Sequence, residues 1–485
     1  MEFLHKMGGY AWSVASAPGD ATLCHDKRWP KVPDGGSRMS AAREVTPGVS
    51  PGLTSRVTRK VMRQGAFAAV APIERLDDLR AELEAIYKQV SDGVVRADQN
   101  AILPFGDLRS VHFARFVILD AFSPPRLLFA TEHDAPLDVH LNELASVAGE
   151  GLERVLRCCA DFAPRGDPQA SELVAYLERH SVPPAAAYVG APGRTLAEIR
   201  AEASLSAAIE KVLGGEPGPL ARDVRGELVR WLRAHPSLAW GLEPPPPGSL
   251  SLVQKAAVAL RASLRLLPQL LFVLVCFPIL RRMEERDAAE QLERERSQVD
   301  WGALWESARV GTEDLQRYED FGAQNQLTAV TTIKPGLIRG VTLRFVLGAI
   351  DLLAKIVFDR GDLGGIRSIH FARWIIVEDR LVFLSNFDGS WESYLGEFVD
   401  RAAIGLTAVW SNTVGFPPTR NLIQEGAHNE QRFKQFARSA QIRTQVWYSA
   451  YPNTSLADVQ RATAIRAGLS GRLDAEAERA WRRQL

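Results

Sequence analysis

The chain has 485 residues, 46% hydrophobic and 24% charged, with 58 basic side chains balanced by 58 acidic ones. It is long enough for two or three globular units, and the charge balance leaves no basic field that would hold nucleic acid by counterion release. Cys24, Cys158, Cys159 and Cys276 form no ligand spacing, so we expect a reducing compartment and no structural metal site.

Residues 1–56 are rich in Gly, Pro, Ser and charge, which predicts a disordered tail. The apolar run Ala66 to Ile73 predicts a strand, and Leu76, Leu79, Leu83, Ile86 and Val90 at three- and four-residue steps predict a helix over 75–90. Strands are expected over 111–119 and 126–131, joined by the Ser123-Pro124-Pro125 turn, followed by a helix over 137–159. After a polar insertion come a strand near 185–189 and a helix capped by Thr195, with Glu198 three residues on.

A charged helix is expected near 221–234, then Pro244 to Pro247, then the uncharged run LLPQLLFVLVCFPIL from Leu266 to Leu280 between Arg261, Arg265 and Arg281, Arg282. That run is short for a spanning helix of roughly 20 residues, and Pro268 and Pro278 disfavour a regular helix. Extended back to Ala256 with its arginines snorkelling, it becomes long enough. A single span, a re-entrant hairpin, an interfacial helix and a buried core helix all fit the pattern. Its place in a linker favours membrane association of 256–282.

Beyond it the order of elements returns: strand 327–333, helix 337–358, strands 368–377 and 380–386, helix 390–410, strand 444–450 and a helix from Ser455. The helix 337–358 is apolar nearly all round, so it needs lipid or burial on several sides, and the linker helix could dock on it. The chain is an internal duplication: Ser110-Val111-His112-Phe113-Ala114-Arg115-Phe116 returns as Ser368-Ile369-His370-Phe371-Ala372-Arg373-Trp374, and Tyr188, Pro192 and Leu196 return as Tyr448, Pro452 and Leu456.

The order strand, helix, strand, strand, helix, strand is ferredoxin-like. The expected fold is therefore α+β, with two tandem ferredoxin-like halves in a dimeric α+β barrel arrangement joined by a helical, apolar linker. Two separately packed α+β domains are the alternative. The boundaries are a tail at 1–56, a divergent first repeat at 57–215, a linker at 216–300 and a second repeat at 301–485.

His370 and Arg373 stand three apart on a strand and so face opposite sides unless a bulge intervenes. Their recurrence as His112 and Arg115 favours a structural role, with a buried arginine paired to Asp388 or Glu392. Copy two differs most over Ser385 to Tyr394, where Asp388-Gly389-Ser390 ends a strand and opens a helix. No GxGxxG, GxxxxGK, HExxH or GxSxG is present.

The runs IHFARW, FLSNFDGSWESYL, GLTAVWSNTVGFPPTR and TQVWYSAYP resemble a family of uncharacterised bacterial proteins over Gln324 to Ser470. These look like relatives of the dimeric α+β barrel superfamily, which includes the dye-decolorising haem peroxidases and their Gly-x-x-Asp-Gly motif. Here Ser385-Asn386-Phe387-Asp388-Gly389 matches it except at Ser385. The resemblance implies haem, with Asp388 as distal acid, Arg373 stabilising the departing oxygen, and His428 or His370 as proximal ligand. The expected function is a membrane-associated protein, cytoplasmic or on the cytoplasmic side of the membrane, with its ligand site in the second repeat. It acts either as a haem-dependent, peroxidase-like oxidoreductase or as a non-enzymatic scaffold for lipid or an apolar small molecule.

Overall fold

The computed structural model describes residues 64–88, 100, 102–134, 136–162, 170–214, 223–296, 312–313, 315–316, 319–320 and 322–485. The expected tail at 1–56 lies outside them. The apolar runs form β1 (Gln64–Pro72), β2 (Val111–Leu119), β3 (Arg126–Asp134), β4 (Ala186–Val189), β5 (Gln324–Thr332), β6 (Ile369–Val377), β7 (Arg380–Asp388) and β10 (Val446–Ser449), with a small hairpin of β8 (Thr419–Arg420) and β9 (Gln424–Glu425).

The helices are α1 (Leu76–Lys88), α2 (Leu137–Val147), α3 (Gly149–Leu156), α4 (Ala170–Arg179), α5 (Leu196–Val212), α6 (Val224–Ala234), α7 (Leu252–Arg296), α8 (Leu337–Ile356), α9 (Trp391–Trp410), α10 (Glu430–Ala440), α11 (Leu456–Ser470) and α12 (Ala475–Arg482). The helix expected over 137–159 breaks at Ala148 into α2 and α3. Helices α4 and α10 occupy stretches where the sequence reading placed no element.

Two antiparallel sheets run β1-β3-β2-β10 and β4-β6-β7-β5, so each half lends its fourth strand to the other. The exchange is reciprocal in register: Trp447 pairs with Arg115, and Ala187 with Arg373. Each crossing segment begins on its own half, where Ser181 bridges to Ala69 and Gln441 to Ala329. The two sheets pack face to face through Ala68, Val70, Val117 and Leu128 of the first half and Ile375, Val377, Val382 and Leu384 of the second. That shared core replaces the alternative of two separately packed domains. Helices α1 to α4 cover the outer face of one sheet, and α8 to α10 cover the other. Helices α5, α6, α11 and α12 build a further cluster around Leu205, Leu232, Leu469 and Trp481.

The apolar linker run is part of one 45-residue helix, α7, despite Pro268 and Pro278. Proline removes the bonds that the carbonyls of Leu264 and Leu274 would accept, and both residues lie on the exposed side. The other side docks antiparallel on α8. Lys255 pairs with Asp359 at 2.8 Å, Leu266 packs where Gly348 has no Cβ, and Val273 and Leu280 meet Ile338 and Phe345. Asp287 holds both Lys334 at 2.8 Å and the buried Arg339 at 2.7 Å. Buried Glu284 accepts from Thr419 Oγ1 and the Leu422 amide. Docking of α7 therefore accounts for the burial that the apolar α8 required.

Candidate functional site

Near the junction of the halves, the duplicated His and Asp form matched pairs. His112 Nε2 bonds Asp134 Oδ1 at 2.9 Å, and His370 Nε2 bonds Asp388 Oδ1 at 2.7 Å. The second oxygen of each aspartate accepts the first amide of a helix, Leu196 N of α5 at 2.7 Å and Leu456 N of α11 at 2.6 Å. These helices start from capping boxes, Thr195 with Glu198 and Ser455 with Asp458, so carboxylate and cap together satisfy their N-terminal donors. His112 Nδ1 also bonds the Tyr451 hydroxyl at 3.2 Å, and burial raises the pKa of that hydroxyl well above its ordinary value.

A β-bulge breaks the strict alternation that would set His370 and Arg373 on opposite faces. Register shifts between Ile369 and Phe371, and likewise between Val111 and Phe113, which brings the histidine to the side of the following phenylalanine. His370 packs on Phe113 at 5.6 Å, and His112 on Phe371 at 5.3 Å. Even so, the histidines and arginines keep separate partners.

The two arginines cross into each other's half. Arg115 is fully buried and donates to Leu327 O, Thr328 Oγ1, Ser385 O and Asn386 Oδ1 at 2.6 to 3.1 Å, all neutral acceptors. Arg373 donates to Phe67 O at 2.9 Å and Thr131 O at 3.2 Å, and pairs with Glu132 at 3.3 Å. The carboxylate expected to hold Arg373 is thus Glu132 of the other half, not Asp388 or Glu392; Glu392 pairs with Lys434. Burial lowers both arginine pKa values, that of Arg115 to about 10.

At Arg373 the equivalence of the halves ends in an open space. A cavity of about 590 Å³ runs from the gap between β1 and β4 out to α7 and α8. Gly65, Ala66, Glu132, Ala187, Phe371 and Arg373 line its inner part, and Arg261, Arg265, Leu266 and Leu352 its outer part. Among the described residues, Glu132 Oε2 and Arg373 Nε and Nη2 are buried without a hydrogen-bond partner. Arg115 Nε and Asn386 Nδ2 in the other half share this state, but those of Glu132 and Arg373 belong to residues that line the cavity, where a polar group can meet them. The walls come from both repeats and the linker, so the cavity does not belong to the second repeat alone.

The remaining expected site residues lie elsewhere. His428 is exposed in the turn Gly426–His428, with Nδ1 bonded to Glu425 O at 3.0 Å. No histidine lines the cavity, and among the described residues no cluster of His, Cys, Asp and Glu could hold a metal ion. Glu132, Ala66 and Ala187 were missed because each is ordinary alone. Their signal was in the alignment of the copies, where small residues stand opposite Gln326 and Trp447.

No protein-family model matches the chain, and neither a curated protein nor a solved structure matches it.

Proposed function

We propose that the chain is a membrane-surface protein that binds an apolar small molecule, a non-enzymatic scaffold built from two ferredoxin-like halves with exchanged fourth strands. The observation that carries this is the free side of α7. Val253, Leu260, Leu264, Leu267, Leu271, Leu274 and Val275 recur at helical spacing and are all more than half exposed. The stripe is about 35 Å long at the α-helical rise. Only 17% of the most apolar window of α7 is buried, which is unlike a core helix. A contiguous apolar surface of this size is costly in water and suits the headgroup boundary of a bilayer.

By length and composition α7 could also cross a membrane. Its buried ion pairs at both ends and its packing along α8 favour the in-plane attachment instead, because a spanning pose would expose Arg339 and Glu284. Arg261 and Arg265 are exposed on α7 and line the cavity, so they can also meet lipid headgroups. The free Cys158 and Cys159 suit the cytoplasmic side.

A haem reading fares worse on these residues. Both oxygens of Asp388 are engaged, His370 is tied to it, and His428 faces away from the cavity. Among the described residues, no histidine lines the cavity beside Arg373.

Flotation of the intact protein with phosphatidylcholine–phosphatidylglycerol vesicles tests the reading. Wild type should float, and Leu264→Gln with Leu267→Gln and Leu271→Gln should lower partitioning on the order of 100-fold while leaving the fold intact, since each exposed leucine contributes about 1 kcal/mol or more when buried in lipid. Wild-type protein that stays at the bottom of the gradient overturns it.

A further inference from the structure

The two crossings of the duplicated fold have equivalent backbones and different contents. Where β10 leaves β5, the gap is filled: Trp447 Nε1 donates to Asn386 Oδ1 at 2.9 Å, its indole lies nearly parallel to Phe113 at 6.3 Å, and Thr444 Oγ1 donates to Gln326 Oε1 at 2.7 Å. Where β4 leaves β1, register places Ala187 at the position of Trp447, Ala66 at that of Gln326, Gly65 at that of Asn325, and Glu132 at that of Asn386. Phe371 stands for Phe113 and lines the cavity. The open gap thus lacks the aromatic ring that the closed one carries, and keeps the surface on which a ring would lie.

The polar groups at its floor narrow the choice. Glu132 Oε2 needs a donor and Arg373 Nε an acceptor, while Arg373 Nη2 has only the 3.3 Å ion pair with the other oxygen of Glu132. An anionic group would meet the Glu132 carboxylate, and a cationic one would meet Arg373. A neutral hydroxyl serves both, donating to the carboxylate and accepting from the guanidinium. The cavity, about 590 Å³, exceeds a single ring, and its remainder runs between α7 and α8 past Leu266 and Leu352, with Arg261, Arg265 and the paired Asp351 and Lys355 also along it. It falls in the range of pockets for drug-sized ligands.

We propose that the gap between β1 and β4 binds a neutral aromatic ring bearing a hydroxyl, stacked on Phe371 in the place Trp447 fills in the other half, with an apolar chain leading out beneath α7. The chain's exit toward lipid rests on the membrane-surface reading; the ring site does not.

Calorimetry on the full chain with 4-octylphenol and octylbenzene tests this. One 4-octylphenol should bind per chain, and octylbenzene should bind at least tenfold more weakly, because it leaves the two floor groups unmet. Ala187→Trp should abolish 4-octylphenol binding while vesicle flotation persists, and Glu132→Gln should weaken it about tenfold. Should Ala187→Trp fail to fold, Ala66→Gln, which copies the closed gap, takes its place. Equal binding of the two probes, no binding by wild type, or undiminished binding by the filled variant overturns the proposal. Protein that binds 4-octylphenol but ignores vesicles overturns only the membrane reading.

Discussion

The crossing sealed by Trp447 and the crossing left open at Ala187 share strand lengths, register, bulges and a buried arginine opposite the exchanged strand. They differ in side-chain volume and in one charge. In the sealed crossing Arg115 donates to neutral backbone, hydroxyl and amide oxygens and only its Nε lacks a partner; in the open one Arg373 is matched by a carboxylate beside the cavity whose second oxygen lacks a partner. A duplicated backbone therefore supplies two equivalent positions, and volume at a few of them decides which is core and which is site. The same divergence reaches the outer layer: α1 keeps an ordinary solvated face, whereas α8 is covered by α7.

Substitutions at matched positions probe that contrast. The largest effect is expected from the arginines. Arg115→Met should cost about 3 to 5 kcal/mol in denaturant unfolding, since it strips several acceptors in a closed core. Arg373→Met should cost less, about 1 to 3 kcal/mol, because the cavity gives Glu132 a route to water. Equal costs would mean that the two crossings are equally closed. Trp447→Ala should cost about 2 to 3 kcal/mol, less than a fully buried tryptophan because Trp447 is only half-buried, and should raise 4-octylphenol stoichiometry above one.

The aspartates should behave alike. Asp134→Asn and Asp388→Asn should each cost about 1 to 3 kcal/mol through an impaired helix start and histidine contact. A large loss at one and none at the other would contradict the equivalence of the halves at that place.

A further effect concerns acid. In the first half His133 and His140 stack at 4.1 Å, and His140 bonds Thr131 Oγ1 at 2.8 Å. Burial lowers both pKa values from 6.5. A depressed folded pKa means that the unfolded chain takes up protons first, so their contribution is present above about pH 6.5 and is lost as pH falls below it, at up to about 1.4 kcal/mol per pH unit for His140, whose folded pKa is lowered to about 2. Unfolding followed from pH 7 to 5 should show this slope in wild type and a shallower one in His140→Gln. An unchanged slope would relocate the titrating group.

Much of the fold was legible because duplication fixes element order: β2 was bounded at 111–119 as found, and the Thr195 cap stands where the spacing placed it. Partner choice was not legible, since apolar alternation in β4 and β10 is the same whichever half they join. The bulges at His112 and His370 were hidden for a related reason: an extra residue changes facing without changing composition. Helix α10 had its signal in Phe433, Phe436, Ala437 and Ala440 at helical steps, masked by a charged remainder. Prolines obscured the continuity of α7, because intrinsic helix propensity gave way to its docking on α8. The cavity was hidden because its gap depends on the small residues Gly65, Ala66 and Ala187, whose meaning comes only from what occupies the matching place in the other copy.

The most direct test of the open and sealed crossings is an anomalous-diffraction map from crystals of the full chain soaked in 4-iodophenol. The account predicts one iodine site beside Phe371 and Ala187, between β1 and β4, with none beside Trp447. Iodine at the Trp447 crossing, or none between β1 and β4 at saturating probe, would contradict it.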